Sequence, residues 1–559
     1  MPSSATWLAG RRPYLLLVAL CLCLYLPGQA ALPVLDRDEA RFAQASRQML
    51  ESGDFLDIRF RDEARNNKPA GIYWLQAAAV TALSSPASTA IWPYRLPSLI
   101  GATLAVLFTF GFGRALLRAS ANGPGPDDDA AAHVAFLAAG LLAAALGVIA
   151  EAHIAKTDAC LLAAIVAGQG ALGLCYLRAR GGGVTAPGVA VAFWAAQIAA
   201  IFLKGPVGPM LALVTAASLS IADRDARWLR GLRPVAGLAA TALAVAPWLY
   251  AIQHATEGRF LAGSLGHDFL AKLLGALEAP GAPPFYYLAL ALLTFWPGSF
   301  YLAPALLRGW HRYEQPVVRF LLAWIVPVWV VIELVPTKLP HYALPLYPAL
   351  ALLTAGAIVE RDDGGTRRAR VIGTIVAGLW VLLALTFATA MIVLPIRFGA
   401  GVSVAGIAGA ALLMTLVAVF FYWRPGLDGR AALLPAMALI LVVTGAAIVP
   451  GFDRLWLSRA AAAMIARHPP AAGAVPTVIG YNEPSLVFLL GGRLASATTS
   501  AAATLNEGEE ALVNERQTAT LQQGLALRGL VAKPIDSVRG TDYSNGQRMV
   551  LTLYLIEKK

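Results

Sequence analysis

Residues 15–42 read LLLVALCLCLYLPGQAALPVLDRDEARF. An unbroken apolar run from Leu15 to Leu26 is followed closely by Asp36-Arg37-Asp38-Glu39-Ala40-Arg41, where only Ala40 is uncharged. Hydrocarbon suits the first half and is hostile to the second. The stretch therefore marks a membrane boundary. Arg11-Arg12 before a short apolar run resembles the start of a signal peptide. An acidic segment follows it instead of a small-residue cleavage site, so the run is expected to remain as a first, uncleaved helix.

Composition extends this reading to the whole chain. Apolar residues make up 58% of 559 positions and charged residues 14%, with a mean hydropathy of +0.63. A soluble domain is about 45–50% apolar and about 25% charged, and a single core stops growing near ~250–300 residues. The surplus needs lipid as its solvent. The net charge of +11 does not indicate nucleic acid, because the basic residues sit between apolar runs and form no polar face. Cys21, Cys23, Cys160 and Cys175 have neither disulfide nor metal spacing and read as membrane-embedded thiols.

About thirteen apolar runs are long enough to be spans: 12–31, 92–114, 131–150, 157–178, 186–203, 207–222, 233–253, 284–307, 317–335, 340–359, 371–395, 401–423 and 432–451. The pair around Lys204-Gly205-Pro206 can also be read as one broken helix. Arginine-rich short loops (Arg114/Arg118, Arg224–Arg233, Arg367–Arg370 among them) alternate with loops of mixed charge, which the positive-inside rule places outside. The outward loops hold Asp36–Lys68, Glu151–Asp158, Lys204, His254–Glu278 and Glu333–His341, so chemistry is expected on that face. The reading is a polytopic α-helical membrane domain over 1–451, with a catalytic loop at 32–91, and a small outward α/β domain over 452–559. Within the loop, Glu39–Leu50 and Ile72–Leu83 predict helices lying in the membrane interface. In the tail, strands are expected at Thr477–Tyr481, Leu486–Leu490, Ala511–Val513 and Arg548–Ile556, with a helix at Leu455–Arg467.

The dense charge at Asp36–Arg41 suits an interfacial cap, and it equally suits an acid beside a phosphate-binding arginine. Lys68 supplies a point charge, with Tyr73-Trp74 as interfacial anchors. Asp158 opens a span, where it either complements the helix dipole or faces a ligand. Lys204 either snorkels or joins a site, and Tyr342 either packs or binds. His267 and His341 in outward loops make a divalent ion, Zn or Mg, conceivable without tight spacing.

The ordered series Asp38-Glu39-x-Arg41-Phe42, Ser52-Gly53-Asp54, Lys68-Pro69-x-Gly71-x-Tyr73-Trp74, Thr157-Asp158, Leu203-Lys204-Gly205-Pro206, Thr337–Pro345 and Gly480–Ser485 resembles the lipid A aminoarabinose transferase family of the GT-C glycosyltransferase superfamily. The resemblance runs nearly the length of the chain. It implies a GT-C fold in a bacterial inner membrane with a periplasmic active site and a periplasmic C-terminal domain. It also implies inverting transfer of 4-amino-4-deoxy-L-arabinose from undecaprenyl phosphate to a lipid A phosphate, a lipopolysaccharide modification linked to polymyxin resistance. Asp38 matches the family's key acid, Arg41 and Lys68 its phosphate-binding bases, and Asp158 and Tyr342 two further cavity residues; Asp38 and Asp158 are the catalytic candidates, Asp158 as a partner for the sugar ammonium. Glu39 and Lys204 join the expected substrate contacts. Asn67 stands where the family often has an acid. No cofactor is required on this reading, and the expected partners are the polyprenyl donor, lipid A and membrane lipids, with the protein a monomer. A transferase of another polyprenyl-linked sugar to a lipid, hopanoid or protein, and a lipid-linked-sugar transporter, are the competing expectations.

Overall fold

A computed structural model describes residues 8, 10–65, 68–120, 127–264, 266, 282–360, 367–422, 427–470, 475–497 and 505–559. Helix α1 (Arg12–Tyr25) leads into a segment that contains α2 (Asp38–Ser52), a two-stranded ribbon of β1 (Arg59–Phe60) and β2 (Glu63–Ala64), and α3 (Gly71–Leu83). The bundle continues with α4 (Trp92–Ser120), α5 (Asp127–Ala144), α6 (Leu146–Ala152), α7 (Asp158–Arg180), α8 (Pro187–Lys204), α9 (Val207–Asp223) and α10 (Pro234–Ala255). It ends with α11 (Tyr286–Thr294), α12 (Leu302–His311), α13 (Pro316–Leu334), α14 (Tyr347–Glu360), α15 (Arg367–Phe398), α16 (Val404–Tyr422) and α17 (Leu433–Ile448).

Each of the thirteen apolar runs is helical over most of its length. Among the described residues nine helices are long and apolar enough to cross a membrane, or ten if α5 and α6, bent by 61°, form one span. Helices α1, α3 and α9 are apolar but shorter. Helix α7 is the axis of the bundle, with 94% of its apolar window buried, whereas α15 keeps 28% of its own buried and turns the rest outward as a lipid-facing helix does. Small residues permit the central contact. A methyl on Gly101 of α4 would lie 2.7 Å from the Cys160 backbone of α7, so glycine lets these two backbones meet.

Lys204-Gly205-Pro206 is a turn between two helices. Gly205 has φ +63°, which a residue with a Cβ rarely adopts, and Gly208 folds back against Ala200. All four cysteines are free thiols; Cys21, Cys160 and Cys175 are buried and Cys23 is exposed.

The tail contains α18 (Leu457–Arg467), α19 (Pro484–Leu489) and α20 (Glu515–Ala526) around a five-stranded sheet of order β4-β3-β5-β7-β6. Strands β3 (Thr477–Ile479), β4 (Ala495–Ala497) and β5 (Glu510–Asn514) run parallel; β7 (Gln547–Lys558) is antiparallel to β5 and to β6 (Leu530–Asp542). The strand expected over Leu486–Leu490 is instead helix α19, which begins at Pro484, a favoured first helical residue.

Helix α2 forms where an amphipathic helix is expected, but protein covers more than its apolar face. Glu39, Gln44, Ser46 and Arg47 are buried together with its apolar residues, so protein surrounds it on most sides. It is clamped between the bundle and the tail domain by a seam of Val34, Ala40, Ala43, Tyr94, Ala155 and Phe488. Arg47 donates to the Phe488 carbonyl at 2.8 Å and lies 4.7 Å from the centroid of its ring.

Candidate active site

The first residues of α2 set the site. Positions 38, 41 and 42 fall on one helical face, and Asp38, Arg41 and Phe42 all line a cavity of about 690 Å³. Arg65 lies over the Phe42 ring at 5.0 Å and donates to the Tyr73 hydroxyl at 2.9 Å. Lys68 enters from the start of α3, whose position is fixed by Gly71: a methyl there would lie 2.5 Å from the Phe202 carbonyl oxygen of α8. This packing explains the glycine of the Lys-Pro-x-Gly motif.

Three further elements close the floor. Lys204 at the end of α8 donates to Asp158 at the start of α7 at 2.5 Å. Lys156 lies 3.6 Å from the other Asp158 oxygen and 2.9 Å from Glu151. Burial alone would lower the Lys156 pKa, but Asp158, Glu151 and Asp38 outweigh it, so the ammonium is held above the usual lysine range. His341 lies 3.5 Å from Lys156 and 3.8 Å from Asp158. Lys204 is 5.9 Å from the Tyr342 ring, a cation–π distance.

Asp38, Asp158, Arg41, Lys68, Lys204, Tyr342 and His341 thus meet around one cavity. Glu39 does not. It is 1% exposed and takes two hydrogen bonds from Arg95, both 2.8 Å, one from the Leu35 amide at 2.8 Å and one from the Ala155 amide at 2.9 Å. Glu39 is a structural counterion, so its expected substrate contact is corrected. His267 lies outside the described residues. Among those described, no three His, Cys, Asp or Glu side chains are grouped as metal ligands would be.

Sequence reading missed Arg37, Arg65, Lys156 and Thr337, which also line the cavity. Lys156 carried a signal, since it stands two residues before Asp158 in the mixed-charge loop Glu151–Asp158. Arg65 carried none, because its ribbon looks like any solvated charged turn.

The wall is divided in two. Among the described residues its polar half has Arg37, Arg41, Arg65, Lys68, Lys156 and Lys204, with Asp38 and Asp158 as the carboxylates. Its apolar half continues along Leu161 and Leu162 of α7, Met210 and Val214 of α9, and Val328 and Val331 of α13. Such a cavity suits an amphiphile with an anionic head. Asp158 is already committed to two lysines, whereas Asp38 is exposed to the cavity.

No family model matches the chain. It is 29% identical over 329 residues to the undecaprenyl phosphate-alpha-4-amino-4-deoxy-L-arabinose arabinosyl transferase of Pseudomonas paraeruginosa, covering 58% of this chain and 55% of that one. The corresponding transferase of Pseudomonas savastanoi pv. phaseolicola is 28% identical over 348 residues, 62% of this chain and 61% of the relative. The chain thus spans little more than half the length of these curated relatives. Among solved structures, ArnT from Cupriavidus metallidurans bound to undecaprenyl phosphate superposes with a TM-score of 0.73 at 18% identity, over 97% of this chain and 98% of that one. An oligosaccharyltransferase from Archaeoglobus fulgidus matches with a TM-score of 0.51 at 12% identity, over 92% of this chain and 69% of its own.

Proposed function

We propose that this chain, an ArnT-like member of the GT-C superfamily, transfers 4-amino-4-deoxy-L-arabinose from undecaprenyl phosphate to a lipid A phosphate. Transfer takes place at the periplasmic face of the bacterial inner membrane. The observation that carries the reading is the divided wall, six basic side chains beside an apolar groove, which suits a polyprenyl phosphate at both ends. The relatives' names supply the sugar.

In the reaction the bond from the anomeric carbon to the donor phosphate breaks, and the lipid phosphate leaves with the electron pair. A lipid A phosphate oxygen forms the new bond from the opposite face, which inverts the configuration. Arg41 and Lys68 neutralise the departing phosphate. The acceptor phosphate is already ionised near neutral pH, so Asp38 need not act as a base. It stabilises the oxocarbenium-like transition state through its charge. Asp158 holds Lys156 and Lys204 in place and takes no proton. No step requires a metal, and the protein acts as a monomer.

The test uses the full chain in nanodiscs with the undecaprenyl-linked sugar and lipid A, read by mass spectrometry. Asp38→Asn should lower kcat about 100-fold with donor affinity kept; undiminished turnover sinks its role. Arg41→Ala combined with Lys68→Ala should weaken undecaprenyl phosphate binding about 100-fold or more, each lost charge-assisted bond contributing roughly 1.5–3 kcal/mol. Transfer to a protein or hopanoid in place of lipid A would reassign the acceptor.

A further inference from the structure

Arg37 has φ 62° and ψ −104°, a sparsely populated conformation for a residue with a side chain, which persists only where its surroundings enforce it. Two anchors flank it. On one side the bundle grips Glu39 through Arg95. On the other, the tail domain grips Asp36. The Asp36 amide donates to the Tyr543 hydroxyl at 2.6 Å, and its carboxylate accepts from the Ser485 amide at 3.2 Å. The Ser485 hydroxyl continues the chain to Ser458 at 2.6 Å, which is joined to Tyr481 at 2.7 Å. The Arg37 guanidinium donates to the Ser544 carbonyl at 2.9 Å. Tyr543 is itself braced edge-on by Trp456, with ring centroids 5.8 Å apart. Asp38 is the one residue between Arg37 and Glu39.

We infer that the turn after β6 acts on the reaction without touching the substrate. Tyr543 and the Ser485 amide are positioning groups that hold Asp36, and through it the strained Arg37 backbone, so that α2 presents Asp38 to the cavity. This rests on the transferase reading for its chemistry, but the geometry it asserts can be measured separately. A tyrosine that merely joined two domains would leave Asp38 correctly placed when its hydroxyl was removed.

The experiment takes full-length Tyr543→Phe, which keeps the ring and its packing on Trp456, and Asp36→Ala, both in nanodiscs. Hydrogen exchange at the amides of residues 36–41 should quicken about tenfold while the strands of the tail sheet stay protected. With the undecaprenyl-linked sugar and lipid A, kcat should fall about tenfold at unchanged donor KM. Unchanged exchange overturns the inference. Faster exchange with unchanged kcat also overturns it, by reducing Tyr543 to a domain contact. If the wild-type chain shows no transfer, the transferase reading fails, and exchange alone then decides whether Tyr543 fixes the start of α2.

Discussion

Asp38 and Glu39 follow one another in the chain, but each residue of a helix turns the next by about 100°. That rotation sends Asp38 to the cavity and Glu39 to Arg95. The motif named both as site residues, since a string of charges does not reveal which face of the helix is buried. Arg95 was equally unreadable: a basic residue at the start of an apolar run looks like an interfacial anchor, yet it is 0% exposed. It also donates to the carbonyls of Gln29, Leu32 and Pro33. Removing one partner of a buried, saturated pair typically costs about 3–5 kcal/mol. Glu39→Ala should therefore lose that much stability in detergent unfolding. Asp38→Ala should stay within about 0.5 kcal/mol of wild type, as exposed positions do.

The bundle helices could be read because a run near twenty apolar residues has few alternatives. Short elements lack that constraint. The six residues of α19 offered no periodicity to separate helix from strand. Strand β6 was missed because it is an edge strand with an irregular, largely exposed pattern and a register break between Pro534 and Asp536. The segment before α19 carries a titration of its own. Burial, reinforced by Asp36 and Asp542 and opposed by Ser544 and Arg37, pushes the Glu483 carboxyl up to about 7. Burial raises Asp36 in the same direction. A carboxyl raised on folding contributes most below its ordinary value of 4.5, and that contribution is gone once pH passes about 7. Docking of the tail on the Asp36 loop should therefore tighten as pH falls from about 7 to about 4.5. Limited proteolysis of this contact should show the trend, and Glu483→Gln should flatten it.

The cavity draws on α2, α7, α8, α9 and α13 at one end of the molecule, while the far ends of α7, α9 and α13 are tied by one acid. Asp223 accepts from Tyr176 at 2.7 Å and from Arg319 at 2.5 Å, with Arg180 at 3.2 Å. Pinned at that end, the three helices keep the apolar groove between them. Val331→Trp narrows the groove, so on the proposed function KM for the undecaprenyl donor should rise about tenfold, equivalent to ~1.4 kcal/mol. A donor with a short prenyl tail should be unaffected, and steady-state kinetics with the two donors makes the comparison.

The hydroxyl that holds Asp36 belongs to a residue 507 positions later, and this separation has a consequence for synthesis. At about 5–20 residues per second, the start of α2 waits on the order of 25 to 100 s before Tyr543 exists. Throughout that interval the nascent chain already carries Asp38 and Arg41 but lacks the clasp on Asp36. A chain interrupted before its last strands would insert into the membrane and yet leave the start of α2 unset. On the proposed function, competence would then wait until Tyr543 has been made.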